Sequence, residues 1–170
     1  MNDPSFFGYG SLVNLKTHSY PNPRRATVKG WRRIWRSVRD HEHALLSVRP
    51  EPDTTISGII ADVPGADWAA LDAREVMYKR QELTETTAIY EIRTNVIWPK
   101  VPHPILRSYL DVVVAGYLKN FGAEGVADFF ATTDNWGPVK DDRAAPLYPR
   151  HQQVKTEVTV LVDQHLAAQV

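Results

Sequence analysis

The sequence predicts an α+β fold in which helices pack against an antiparallel sheet or a small barrel. Segments with strand patterns outnumber segments with helix patterns, and the two kinds follow one another along the chain in no regular order. The 170 residues are 43% hydrophobic, which supplies one sizeable core but would leave two separate cores small. We therefore expect a single domain over residues 1–170.

Strand patterns dominate the first part of the chain. Phe6 and Phe7 open the stretch FFGYGSLVN, whose glycines stand where they would weaken a strand interior. The segment Ala26–Arg39 is rich in Thr, Val, Ile and Trp and predicts a long strand. Residues 43–65 predict two short strands in a hairpin, with the turn at Pro50–Asp53.

A short helix is expected next. Asp67 is suited to cap it, and its apolar residues Trp68 and Leu71 precede an end near Arg74 or Glu75. Residues 83–98 then return to a strand-like alternation of side chains.

The clearest helix pattern covers residues 104–122. Pro104 suits the first turn, apolar side chains recur at helical spacing, and Gly122 is the expected stop. A second helix should continue through Phe130. Residues 153–163 alternate valine with polar side chains for much of their length, which predicts a closing strand.

Composition narrows the possible functions. The formal net charge is zero and the pI is about 7.0, so no overall field attracts nucleic acid or acidic membranes. The absence of cysteine excludes disulfides, thiolate nucleophiles and cysteine-based metal sites. The N-terminus lacks a signal-peptide pattern, and no stretch is apolar for long enough to span a bilayer. We therefore expect a cytoplasmic protein without a membrane partner.

The glycines of the opening stretch suggest a ligand-binding turn. Glycine allows a ligand to approach the main chain closely, so the amides of Gly10, Ser11 and Leu12 could bind an anion such as a carboxylate. A tight turn without a ligand is the alternative. A second candidate is Glu75 in LDAREVMYKR. A carboxylate at a helix C-terminus gains no stability from the helix dipole, so its placement there indicates some other role. An ordinary solvated side chain is the alternative there.

Taken together, these motifs resemble a known family. The order FGYGSL, KGWRRIW, SGIIADVP and LDAREVMYKR, from Phe6 to Arg80, is similar to the gamma-glutamylcyclotransferase superfamily, which includes AIG2-like and ChaC-like proteins. The resemblance implies a small mixed or antiparallel β-barrel with peripheral helices and a pocket at its mouth. It also implies that Tyr9, Gly10, Ser11 and Leu12 surround the gamma-glutamyl group and that Glu75 is the catalytic carboxylate.

The implied reaction is an intramolecular acyl transfer. The alpha-amine of a gamma-glutamyl compound attacks its own gamma-carbonyl, forming 5-oxoproline and releasing an amine or amino acid. Glu75 would move the protons, and no metal or organic cofactor is needed. The leaving group stays open among glutathione, a gamma-glutamyl amino acid and a gamma-glutamyl amine. Tyr9, Tyr78 and Tyr148 are candidate hydrogen-bonding wall residues, and Arg150 is a candidate carboxylate partner, although tyrosines are more often core-edge residues.

Other readings of the sequence are weaker. The basic run from Arg24 to Arg39 interleaves with tryptophans as in nucleic-acid sites, but strand geometry would divide its arginines between two faces. His41 and His43 could form a metal pair, but no third ligand has a matching spacing, so solvent-exposed histidines are expected.

Two further alternatives complete the set. Three carboxylates, those of Glu75, Glu82 and Glu85, could suggest a glycosidase pair. A non-catalytic small-molecule binding or interaction module on the same fold also remains open.

Overall fold

A mixed six-stranded sheet organises the protein. The computed structural model describes residues 2–98 and 100–169. The strands within them are β1 (Ser5–Gly8), β2 (Arg24–Arg36), β3 (Leu45–Asp62), β4 (Tyr78–Glu82), β5 (Thr87–Ile92), β6 (Ile105–Leu106), β7 (Thr133–Asp134) and β8 (Val139–Lys140). The helices are α1 (Ala69–Arg74), α2 (Arg107–Ala131) and α3 (Thr156–Ala167). The main sheet has the order β4-β5-β1-β3-β2-β7, and β6 pairs with β8 in a separate small sheet.

The α+β class is confirmed, but the expected barrel is not closed. Strand β4 forms one edge of the sheet and β7 the other, and no pairing joins these edges within the described residues. Three strand pairs are antiparallel, whereas β1 pairs with β5 and β2 pairs with β7 in parallel. Because β4 and β7 are five and two residues long, neither edge is extended enough to wrap around the core.

The predicted hairpin at Pro50–Asp53 is wrong. Strand β3 runs without reversal from Leu45 to Asp62 and pairs antiparallel with β2 along its length. The proline-rich segment forms a bulge instead of a turn: the register jumps from Lys29 opposite Thr55 to Gly30 opposite Glu51. Gly30 has a φ of +94°, which explains why a glycine stands at the bulge. The predicted strand at Ala26–Arg39 is confirmed, with boundaries moved to Arg24–Arg36.

Helix α2 confirms the predicted stop and the second helix. It begins at Arg107, so Pro104 lies before it, and its helical geometry is interrupted at Gly122, where φ is +70° and ψ is −172°. Only glycine adopts such a conformation readily, which divides the helix at the predicted position. The helix resumes and ends at Ala131, close to the predicted end at Phe130. The predicted short helix also forms, and Asp67 Oδ1 accepts a hydrogen bond from the Ala69 amide at 3.2 Å.

The predicted closing strand at residues 153–163 is wrong, because this segment contains most of α3. Val158, Val162 and Leu166 are buried at intervals of four residues, which is a helical stripe. Val160, which a strand would place on the same face, is 45% exposed. Because a spacing of four residues fits both a strand and a helix, the recurrence of valine did not distinguish between them.

The two faces of the sheet pack against different helices. Phe7 points to the main core with Leu110 and Tyr117 of α2, whereas Phe6 points to a smaller cluster with Leu71 of α1. Adjacent side chains of β1 therefore anchor α2 on one face and α1 on the other. As a result, the loop after β1 lies between the two helices. None of the helices in the described ranges is long and apolar enough to cross a membrane.

Candidate functional site

The loop after β1 presents backbone amides. Residues Ser11–Val13 form one short 3₁₀ turn, in which the Val13 amide donates to the Gly10 carbonyl at 3.1 Å. The amides of Gly10 and Leu12 find no acceptor among residues 2–98 and 100–169. Burial raises the pKa of the Tyr109 phenol. The Ser11 amide, which hydrogen-bonds its hydroxyl, opposes that rise. The loop therefore offers free hydrogen-bond donors to a ligand.

Helix α2 holds this loop in place. The Asn14 amide group donates to the Val112 carbonyl at 2.8 Å, and the Asn120 amide group donates to the Val13 carbonyl at 3.1 Å. Gly116 allows the close approach, because a Cβ there would lie 2.6 Å from the Asn14 nitrogen. The loop is thus fixed against a rigid element before any ligand binds.

Gly10 has a similar packing reason. A Cβ on Gly10 would lie 2.6 Å from the Tyr109 hydroxyl oxygen and 3.1 Å from Leu46 Cδ2. Distances this short would force the tyrosine away from the loop. The second glycine of the opening stretch therefore makes room for a side chain that the sequence reading did not select.

Glu75 is the C-cap residue directly after α1, and it lines the same cavity as the loop. Its side chain is only 14% exposed, and its closest charged partner is Arg74, with Nε 3.5 Å from Glu75 Oε1. Burial raises the pKa of Glu75, while the charges of Arg74 and Arg150 oppose that rise. A carboxyl group whose pKa is raised holds a proton more readily than an ordinary glutamate, which suits a group that accepts and returns a proton.

Two tyrosine hydroxyls complete the wall beside Glu75. Tyr9 donates to the Tyr90 carbonyl at 2.6 Å, and Tyr78 donates to the Leu46 carbonyl at 2.7 Å. Burial raises the pKa of both phenols, so both stay protonated. Since each hydroxyl proton is already donated, the hydroxyl oxygens can form further hydrogen bonds only as acceptors, and the Ser47 side chain is already one partner of Tyr9. The site therefore has acceptors on one part of its wall and backbone donors on another.

A segment after α2 supplies the remaining wall. Tyr148 packs edge-to-face on Tyr109, with ring centroids 5.0 Å apart. This segment is held by the buried carboxylate of Asp142, which accepts from the Ser108 amide at 2.9 Å and from the Leu147 amide at 2.8 Å. Arg150 lies close enough to lower the pKa of Glu75.

A cavity of about 290 Å³ brings every sequence-predicted site residue together. Its lining includes Tyr9, Gly10, Ser11, Leu12, Glu75, Tyr78, Tyr148 and Arg150. The lining also includes residues that sequence reasoning did not place there, namely Arg74, Tyr109, His41 and His43. The two histidines are half-buried in the wall, so they are only partly solvent-exposed.

Tyr109 gave no functional signal in the sequence. Its position fits the apolar stripe of α2, and only the packing of α2 on the opening loop brings its hydroxyl to Gly10. Arg74 was visible next to Glu75, but its contact with Ser11, 63 positions earlier, depends on the fold.

The alternative constellations lie differently. Glu82 and Glu85 are exposed and do not line the cavity. The described ranges hold no group of three or more His, Asp or Glu side chains placed to bind a metal ion. The basic run of β2 does not form one face, because Arg33 is buried while Arg32 pairs with Asp134 at 2.8 Å.

Comparison with solved structures identifies the fold. A gamma-glutamyl cyclotransferase structure superposes with a TM-score of 0.60, covering 95% of this chain and 99% of that one, at 14% sequence identity. This chain has the gamma-glutamyl cyclotransferase fold.

Two other structures share this gamma-glutamyl cyclotransferase fold. An uncharacterised human protein matches with a TM-score of 0.57 and 14% identity, over 84% of this chain and 96% of that chain. YkqA from Bacillus subtilis matches with a TM-score of 0.56 and 16% identity, over 73% of this chain. The match covers about half of YkqA, 51% of its length. The sequence itself matches no protein-family model and no curated protein.

Proposed function

We propose that this protein is a gamma-glutamylcyclotransferase. It would convert a gamma-glutamyl compound to 5-oxoproline and release the attached amine or amino acid. The observation that carries the proposal is Glu75, a nearly buried carboxylate with a raised pKa on the wall of the cavity. Such a group is suited to general acid-base chemistry and costs stability, so a structural role explains it poorly.

The polarity of the cavity wall fits an amino-acid end of a substrate. The hydroxyl oxygens of Tyr9 and Tyr78 can accept from an alpha-ammonium group, because their own protons are donated to carbonyls. The amides of Gly10 and Leu12 can donate to a carboxylate or to an oxyanion. Arg150 adds a positive charge on the same wall. A zwitterionic group would find a partner for each of its charges.

The reaction needs one proton carrier. The alpha-nitrogen reacts as the free amine, which forms when the bound alpha-ammonium group releases one proton to solvent. Glu75 takes a second proton from this nitrogen as it attacks the gamma-carbonyl carbon, so a new C–N bond forms in a tetrahedral intermediate. When the intermediate collapses, the bond to the leaving nitrogen breaks and Glu75 returns the proton to it. The products are 5-oxoproline and a free amine. The protein's other contribution is to hold the substrate in a folded, reactive conformation.

The test is release of 5-oxoproline from glutathione, a gamma-glutamyl amino acid and a gamma-glutamyl amine. We expect Glu75→Gln to lower turnover of an accepted substrate by about 10²–10⁴-fold, because the amide cannot accept the proton. Glu82→Gln is the matched control, since Glu82 is an exposed carboxylate on the neighbouring strand β4 and should keep wild-type activity.

Equal turnover by the wild type and the folded Glu75→Gln variant would exclude the proposed role. If the wild type releases no 5-oxoproline from any compound, a melting shift induced by the same compounds separates the remaining functions. A shift without turnover would indicate a binding module on this fold.

A further inference from the structure

Arg33 of β2 is a buried cation directly behind the opening loop. Its side chain is 0% exposed, and it does not line the cavity. The guanidinium donates to the carbonyls of Tyr9 and Ser57, at 2.9 and 2.5 Å, and to the hydroxyls of Thr132 and Tyr117. All four acceptors are uncharged. The positive charge is therefore held by hydrogen bonds without being neutralised by them.

The aromatic surroundings support the same conclusion. The guanidinium carbon lies 5.1 Å from the ring centre of Tyr117 and 5.0 Å from that of Phe129. These rings stabilise a cation in a dry core but carry no net charge. A buried cation is costly to fold around, and an apolar side chain would fill this place at lower cost. This cost indicates a use for the charge.

The contact with Tyr9 orients the loop. The Tyr9 carbonyl accepts from Arg33 Nε at 2.9 Å and lies 2.8 Å from the Tyr117 hydroxyl. The Tyr9–Gly10 peptide is trans, so its N–H points opposite to its carbonyl. With the carbonyl directed at Arg33 in the core, the Gly10 amide is directed away from Arg33, and both Tyr9 and Gly10 line the cavity.

We propose that Arg33 is a positioning residue that prepares the Tyr9–Leu12 loop to bind a carboxylate. It fixes the Tyr9–Gly10 peptide, polarises it so that the Gly10 amide is a stronger donor, and adds a positive charge behind the loop whose four hydrogen-bond acceptors are all uncharged. The inference rests on the proposed function, because that function places the carboxylate of a gamma-glutamyl compound against these amides.

The role of Arg33 is separable from that of the arginines in the cavity. Arg74 and Arg150 lower the pKa of Glu75 directly, whereas Arg33 acts on the opposite side of the loop. Loss of Arg33 should therefore weaken carboxylate binding without moving the ionisation of Glu75.

The test compares the dissociation constants of 5-oxoproline and of its uncharged amide, 5-oxoprolinamide, measured by calorimetry. We expect the wild type to prefer the acid, and Arg33→Met to reduce that preference about tenfold, with both ligands still bound. Arg33→Lys should keep more of the preference, since it retains a charge. Arg32→Met is the matched control, because Arg32 is the next residue of β2 and pairs with Asp134 at the surface. A purely structural role would weaken both ligands equally and leave the ratio unchanged.

Tyr117→Phe covers the case in which the Arg33 variants do not fold. It removes one hydroxyl from the Tyr9 carbonyl with little change in volume, and should reduce the acid preference about threefold. Folded Arg33 or Tyr117 variants that keep the wild-type ratio would overturn the inference and leave the proposed function intact. A wild type that binds acid and amide equally would also overturn the inference. A wild type that binds neither compound would overturn the inference, and the 5-oxoproline release assay would then decide whether the proposed function stands.

Discussion

Arg74 Nε lies 3.5 Å from Glu75 Oε1, and the two residues are neighbours in sequence at the end of α1. The same guanidinium donates to the Thr17 carbonyl at 2.8 Å and to Ser11 Oγ at 3.3 Å. One side chain thus joins the buried carboxylate to the loop that carries the free amides. Because of this geometry, the charge of Arg74 influences the protonation of Glu75.

Arg74→Met should raise the pKa of Glu75 further. Burial already raises this pKa and Arg74 opposes the rise, so removing the cation leaves the ionised form less favoured. We expect the limb of the pH profile that reports Glu75 ionisation to move to higher pH, measured as kcat/KM between about pH 5 and pH 9. Arg80→Met is the control, because Arg80 pairs with the exposed Asp72. An unmoved limb, or one moved to lower pH, would contradict the expected coupling.

Glu75→Gln should stabilise the protein at neutral pH while it removes activity. With a folded-state pKa above its ordinary value of 4.5, Glu75 binds a proton more tightly in the folded than in the unfolded chain. Stability from this group is therefore fully present below pH 4.5 and is lost as the pH rises through the raised pKa. Urea unfolding should show a gain for Glu75→Gln at about pH 7.5 that shrinks at about pH 4.5. A gain in unfolding free energy that is larger in acid than at neutral pH would contradict a raised pKa for Glu75.

Gly10→Ala should impair ligand binding through Tyr109. The new Cβ would lie 2.6 Å from the Tyr109 hydroxyl oxygen, so the loop or the tyrosine must move. Displacements of about 1 Å can cost about 10²-fold in rate, which sets the expected loss of kcat/KM. Adding Tyr109→Phe removes the oxygen and should restore part of the loss.

Gly137→Ala is the matched control for that experiment, because its Cβ would meet no atom closer than 4.0 Å. If the double variant is no better than Gly10→Ala alone, the clash with the hydroxyl is not the cause.

Asp142→Asn should loosen the segment that carries Tyr148 and Arg150. Burial raises the pKa of Asp142, but hydrogen bonds from Ser108 and Leu147 outweigh burial and lower it. We expect a loss of about 1–3 kcal/mol in unfolding free energy, together with a higher KM. A group with a lowered pKa stabilises the fold above its unfolded-state pKa and loses this contribution in acid, so the variant should be less sensitive to acidification.

Asp141→Asn is the matched control for the segment. The Asp141 side chain is 57% exposed, so its substitution should change stability by less than about 0.5 kcal/mol. Equal losses for the two variants would show that the buried hydrogen bonds of Asp142 have no special importance.

The sequence predicted elements well where one residue decides the backbone. Gly122 was expected to stop the helix, and its φ of +70° interrupts α2 there. It predicted elements poorly where the deciding contacts are distant. Residues 50–53 have the composition of a turn, but pairing with β2 keeps β3 extended and turns the local irregularity into a bulge. Val160 fits the alternation of a strand, but packing against α2 selects the helical stripe around it.

Some residues of the candidate site could likewise be predicted from local motifs, whereas others depend on distant contacts. The motifs YGSL and LDARE led to the opening loop and to Glu75, and the fold brings both to one cavity. Arg33 was visible only as one member of a basic strand, and its contact with Tyr9 crosses from β2 to the loop. Nothing local distinguishes it from Arg32, which lies next to it and pairs at the surface.

The sequence by itself determined the α+β class, the position at which glycine interrupts helix α2, and the residue types that a proton-transfer site requires. These properties depend on local backbone preference and on side-chain chemistry. The tertiary structure decided the open sheet, the burial that raises the pKa of Glu75, and the placement of Arg33 and Tyr109 around the opening loop. Those properties depend on which distant segments exclude water from one another, and the free energy of such contacts has no signature in any short stretch of chain.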